Sequence, residues 1–152
     1  MSKFRIYAQA ILIPVLLGAL VGFLISGFMD YETLQKPAFA PPGIIFPIMW
    51  TILYILMGVS YGIIKDKAEL DFNTSLVYYL QLFVNLLWPI AFFVLKWRLF
   101  AFIWIVLLLI LVVLMAAKFY HKNKLAGLLQ IPYIAWTAFA TYLNLGIFLL
   151  NG

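Results

Sequence analysis

Residues 99–117 read LFAFIWIVLLLILVVLMAA, nineteen positions with no charge, no amide, no hydroxyl and no proline. The run matches the ~20 apolar residues that a helix needs to cross the hydrocarbon core of a bilayer. Lys96 and Arg98 precede it, and Lys118, Lys122 and Lys124 follow it, as expected of helix ends that meet lipid headgroups. A soluble fold would have to cover every side of such a helix. The chain has little polar material for that: 67% of its 152 residues are apolar and 10% are charged, with a mean hydropathy of +1.11. An average soluble domain is about half apolar and about a quarter charged.

Four further apolar stretches flank this one, at about 6–28, 44–64, 72–95 and 125–150. The connecting segments are 30–43, 65–71, 96–98 and 118–124. Inside a bilayer, the helix is the only open structure that pairs every backbone N–H and C=O. The predicted fold is therefore an all-α membrane protein, a five-transmembrane-helix bundle forming one domain over residues 1–152. The first stretch is longer than the roughly 7–15 residues of a signal-peptide core, and no A-x-A-like site follows it. It reads as a retained first helix.

The formal charge of +5 comes from ten Lys and Arg against five Asp and Glu. The cations sit at the ends of apolar runs: Lys3, Arg5, Lys65, Lys67, Lys96, Arg98, Lys118, Lys122 and Lys124. That placement points to headgroup anchors and not to a nucleic-acid partner. Seven of the ten fall on the side of the N-terminus and the second and fourth loops. The positive-inside rule then predicts a multi-pass cell-membrane protein with its N-terminus cytoplasmic and its C-terminus outside.

Pro14, Pro47, Pro89 and Pro132 lie within predicted helices and are expected to kink them. Gly18, Gly22 and Ser26 form one small-residue row, and Gly58 and Gly62 another. Such rows permit close helix approach, within the bundle or between subunits. No internal repeat is present, so an inverted-repeat transporter is not supported.

No span carries an ionisable residue in its middle, which argues against a proton-coupled pump, a cation channel or a membrane protease. There is no cysteine, no Walker loop and no catalytic triad. The one histidine, His121, falls in the predicted fourth loop beside Tyr120 and Lys122 and reads as a headgroup-level residue. No metal site is expected. The spans do carry neutral polar and aromatic residues in helical register. Gln81, Asn85 and Trp88 share a face of the third span, and Trp50 and Tyr54 share one of the second. On the fifth, Tyr133, Trp136 or Thr137, Ala140 and Asn144 form a stripe. Buried amides require partners, so these faces point inward, either as interhelical hydrogen bonds or as the wall of a cavity for a flat apolar ligand. Trp97 reads as an interface anchor, and Trp104 as facing lipid or a neighbouring helix.

Residues 31–60, YETLQKPAFAPPGIIFPIMWTILYILMGVS, carry a further signal. Tyr31, Leu34, Lys36, Pro37, Pro41, Pro42, Phe46, Pro47, Trp50, Leu53, Tyr54, Met57 and Gly58 resemble the signature of the TspO/MBR family. This is the translocator protein or peripheral-type benzodiazepine receptor family, and the chain is most similar to its bacterial type. QLFVNLLWPIAFF at 81–93 and IPYIAWTAFATYLN at 131–144 resemble that family's third and fifth helices.

The resemblance implies a five-helix bundle, often a homodimer. It binds porphyrins such as protoporphyrin IX or haem and, in animals, sterols and synthetic benzodiazepine-site ligands. Carried over by position, the pocket comprises Tyr31, Pro42, Phe46, Trp50 and Tyr54, with Asn85, Trp88 and Phe92, and with Trp136, Ala140 and Asn144. It lies under the loop joining the first two helices. Some bacterial members are associated with light-dependent porphyrin breakdown, which makes Trp50 and Trp136 candidate photochemical residues. No cofactor is required; the porphyrin is the ligand. The implied role is a sensor, carrier or scavenger of tetrapyrroles, and the alternative is a facilitative transporter of porphyrins or other amphipaths.

Two departures stand out. Asp30 replaces the Trp that the family often places before Tyr31. No Lys or Arg follows Tyr142, so the animal sterol motif is incomplete.

Overall fold

The computed structural model describes residues 2–152. The described residues form helices joined by short connections and contain no strand. Helix α1 spans Lys3–Ile25. Its start is set by Ser2, whose hydroxyl accepts the Arg5 amide at 3.2 Å, an N-cap that pairs one of the free first-turn donors. A 3₁₀ turn, Ser26–Phe28, carries the span outward. Helix α2 covers Ile45–Asp66. Helix α3 covers Phe72–Pro89 and is capped by Asp71, which accepts the Thr74 amide at 2.8 Å. Past Pro89 the backbone widens into a π turn, Ile90–Val94, a common accommodation where a proline removes a donor from the ladder.

Helix α4 runs Arg98–Lys122, a short helix α5 covers Lys124–Leu128, and α6 covers Ile131–Asn151. Five spans are long and apolar enough to cross a membrane: Lys3–Phe28, Ile45–Asp66, Phe72–Val94, Arg98–Lys122 and Lys124–Asn151.

Several expectations change. The fourth helix continues to Lys122, so His121 lies in its last turn and not in a loop. The fifth stretch is interrupted at Leu129 and Gln130, where α5 gives way to α6. Pro132 is then in the first turn of α6, and Pro47 in the first turn of α2. First-turn amides have no helical acceptor, so proline costs nothing there. Neither kinks a helix. Pro14 alone lies well inside one, while Pro89 ends α3.

Arg98, expected at the headgroups, is 8% exposed. Its Nη2 donates to both Asp30 oxygens, at 2.8 and 3.0 Å.

Gly18, Gly58 and Gly62 of the small-residue rows serve contacts inside the protomer, while Gly22 and Ser26 are exposed. A Cβ at Gly58 would lie 2.5 Å from the Ala10 oxygen and the Ile11 Cα. One at Gly62 would meet the Tyr7 ring, and one at Gly18 the Tyr54 ring. Trp104 faces a neighbouring helix, its Nε1 donating to the Val84 carbonyl at 2.8 Å.

The polar face of α3 points into the bundle. The Tyr54 hydroxyl donates to Asn85 Oδ1 at 2.6 Å, and Asn85 Nδ2 donates to the Tyr133 hydroxyl at 2.7 Å. Tyr133 in turn donates to Gln81 Oε1 at 2.7 Å. This chain ties α2, α3 and α6 together across the core.

Candidate ligand-binding cavity

The N-terminal half of α1 and the C-terminal half of α2 touch through Gly58 and Gly62, but the two helices separate beyond Gly18 and Tyr54. A cavity of about 670 Å³ fills the space they leave against α3. Phe46, Trp50 and Tyr54 from α2, with Asn85 and Trp88 from α3, line it. Five predicted residues thus meet on one wall. The opposite wall is α1, through Val15, Gly18, Gly22 and Ile25. Nothing lies within 4 Å of a Cβ built on Gly22, so this glycine gives its volume to the cavity.

The solvent-exposed wall residues, among them Ala19, Gly22, Met29, Ile44, Pro47 and Thr51, come from α1, its outer extension and the start of α2. Asn85, Trp88 and Phe93 on the α3 side are buried. The cavity therefore opens sideways, through the seam between α1 and α2.

Tyr31, Phe92, Ala140 and Asn144 lie elsewhere. With Phe46 and Trp88 they surround a small void of about 20 Å³ beneath the 30–43 loop. Phe46 and Trp88, with Phe93, thus stand between the large cavity and the small inner void. Trp136 stands next to Phe46. Its ring centroid is 5.6 Å from Phe46 and 6.4 Å from Trp50, both edge-on. Its indole Nε1 is buried without an acceptor. Pro42 is an exposed loop residue outside both walls; the adjacent Pro41 carbonyl accepts the Tyr31 hydroxyl at 2.6 Å.

Trp88 is fixed by a relay. Its Nε1 donates to Asn144 Oδ1 at 2.9 Å, and Asn144 Nδ2 donates to the Arg98 carbonyl at 2.9 Å. Arg98 then holds Asp30, and Lys96 adds a contact at 3.4 Å. Partial burial pushes the Asp30 carboxyl up, but the Arg98 hydrogen bond and the charges of Arg98 and Lys96 bring it below the usual range.

Sequence reasoning missed the α1 wall because it has no polar or aromatic stripe. Its only signal was the Gly18–Gly22 row. Apolar walls with a few placed polar groups, at a volume of roughly 300–1,000 Å³, suit a drug-sized ligand.

Fold and cavity together define a multi-pass membrane protein with a hydrophobic chamber inside its bundle. The TspO/MBR family model matches residues 10–150. The tryptophan-rich protein TspO of Chlorobaculum tepidum is 40% identical over 140 residues, covering 86% of this chain and 89% of that protein. The tryptophan-rich sensory protein of Cereibacter sphaeroides is 33% identical, with 88% and 84% covered. The translocator protein of Sus scrofa is 34% identical, with 85% and 82% covered. The chain belongs to the TspO/MBR family.

Proposed function

We propose that the protein binds a tetrapyrrole of the protoporphyrin type, and other flat hydrophobic ligands, as a membrane sensor, carrier or scavenger. The observation that carries this reading is the cavity itself, a lipid-facing chamber with Trp50, Tyr54, Phe46 and Trp88 on one wall. Aromatic faces at this density favour stacking on a planar macrocycle. Asn85 has one N–H and one lone pair beyond its bonds to Tyr133 and Tyr54, enough for one polar contact with a ligand. Trp136, with its unpaired indole N–H, adds a second donor once Phe46 moves.

The ligand is the functional partner, and no cofactor is needed. The N-terminus lies in the cytoplasm of a bacterial cell, with the 30–43 loop outside. A homodimer would use surfaces other than Gly18, Gly58 and Gly62, which are packed within the protomer.

A protoporphyrin titration followed by tryptophan fluorescence tests the reading. Saturable quenching near one ligand per chain is expected, weakened several-fold in Asn85→Ala and Trp136→Phe. Non-saturable quenching, or equal quenching in all three proteins, defeats it.

The edge-on pair of Trp50 and Trp136 favours a second reading, in which the photoexcited ligand takes one electron from an indole, giving a ligand radical anion and an indole radical cation, and dioxygen then consumes the ligand radical. Light-dependent loss of porphyrin absorbance that is identical in Trp136→Phe and wild type would remove that role. The sideways opening likewise favours exchange of ligand with the bilayer, the first step of facilitative transport. Uptake into proteoliposomes distinguishes it from binding alone.

A further inference from the structure

Asp30 meets two cations, Lys96 Nζ at 3.4 Å and Arg98 Nη2 at 2.8 Å. One carboxylate therefore faces two positive charges. Arg98 spends Nη2 on both Asp30 oxygens, while its Nε is buried with no acceptor. The first turn of α4, which begins at Arg98, has no capping side chain, and this leaves a further positive potential at the same point. A buried donor without an acceptor is costly, and the one unbalanced charge, Lys96, is half exposed and open to an anion.

The cluster stands beside the cavity, next to wall residues and not itself part of the wall. Met29, the neighbour of Asp30, lines the open chamber. The Arg98 guanidinium lies over the Phe92 ring at 5.0 Å, and Phe92 lines the inner void. Phe93 lines both spaces. A planar ligand against Trp50 and Trp88 would bring its edge to this point.

We infer that Lys96 and Arg98 form a carboxylate-binding rim beside the outer mouth of the cavity, with Asp30 as the resident counter-ion from which a ligand's carboxylate takes over Lys96. The inference rests on the binding function proposed above and names the ligand class as a flat apolar body bearing an acidic edge. Lys96, with 53% of its side chain exposed, moves to the ligand at little structural cost. Arg98, which is buried, stays with Asp30 and keeps that carboxylate beside Lys96.

The test compares protoporphyrin IX with its dimethyl ester, the same macrocycle without the acids, on wild type, Lys96→Gln and Asp30→Asn in detergent. Lys96→Gln should weaken the diacid about two- to fivefold, the span of one exposed charge pair, and leave the ester unchanged. Asp30→Asn, which keeps an acceptor for Arg98 and removes the competing charge, should tighten the diacid by a similar factor. Added salt should weaken the diacid alone. Saturable binding of both ligands with equal affinity, or a Lys96→Gln effect equal on the two, overturns the rim and leaves the binding function standing. Saturable binding of neither ligand removes both.

Discussion

Gly58 and Gly22 stand on adjacent helices and act in opposite ways. At Gly58, the α2 backbone lies against Ala10 and Ile11 of α1. Pro14 has no amide to offer the Ala10 carbonyl, so that oxygen faces α2 free of an intrahelical bond. A methyl group at 58 has backbone in its way, and backbone does not rotate aside. Gly58→Ala should therefore cost about 1–3 kcal/mol of stability, the usual range for forcing volume into a filled contact. It would be read as a lower thermal midpoint in micelles. A midpoint equal to wild type would mean that α1 and α2 are not so closely seated. Gly22 faces the cavity with open space around it. Gly22→Leu should leave the midpoint unchanged and abolish saturable porphyrin quenching by filling the chamber. Wild-type affinity in that variant would place the ligand elsewhere.

Helix α3 shows the element scale best, since its two ends are built differently. Asp71 accepts the Thr74 amide at 2.8 Å and pairs with Lys122 of α4 at 2.9 Å. The Thr74 hydrogen bonds first, and then Lys122, hold its carboxyl well below the ordinary 3.8. A carboxyl lowered on folding stabilises the fold above its unfolded value, and that contribution is lost as pH falls through the folded one. Asp71→Ala should accordingly lower the thermal midpoint by an amount that is constant from pH 8 to pH 5. The gap should close only in acid below the usual carboxylate range. A gap that narrows between pH 7 and pH 5 would show that the carboxylate is not held low.

The five spans could be read because unbroken apolar runs leave no other solvent than lipid. Their ends could not, because Lys118, Tyr120 and Lys122 extend a helix as readily as they end one. The break at Leu129 and Gln130 carries no glycine or proline of its own; Pro132, two residues on, was its only trace. Arg98 looked like an anchor because Asp30, its partner, is 68 residues away in sequence. Trp50, Tyr54, Asn85 and Trp88 were legible as inward faces by aromatic and amide register, and Phe46 only through the family resemblance. The α1 wall was not, since apolar residues facing a cavity and facing lipid look alike.

At the scale of the whole molecule, the Tyr31 ring of the 30–43 loop packs on Phe46 of α2, but the loop's ties to α4 and α6 lie on one side. Its backbone at Gln35 exchanges two hydrogen bonds with the Asn151 side chain at the end of α6, at 3.1 and 2.8 Å. The Tyr142 hydroxyl donates to the Ala38 carbonyl at 2.8 Å. Pro37 sits so close to Gly146 that a Cβ there would lie 2.5 Å from its ring. Asp30 adds the tie to α4. Every one of these ties is to α4 or α6, and the cavity opens on the far side, between α1 and α2. The roof over the inner void is thus pinned, while the side door is not held by it. A ligand moving from the open chamber toward Tyr31, Ala140 and Asn144 must shift Phe46 and lift the loop against its ties to α6. Asn151→Ala cuts the tie at Gln35 and touches no wall of either space. Association and dissociation of protoporphyrin, followed by stopped-flow quenching, should both quicken several-fold in this variant, with the equilibrium constant nearly unchanged. Unaltered rates would mean that the ligand rests in the outer chamber and never passes beneath the loop. A weaker equilibrium constant at an unchanged association rate would mean that the loop holds the ligand directly.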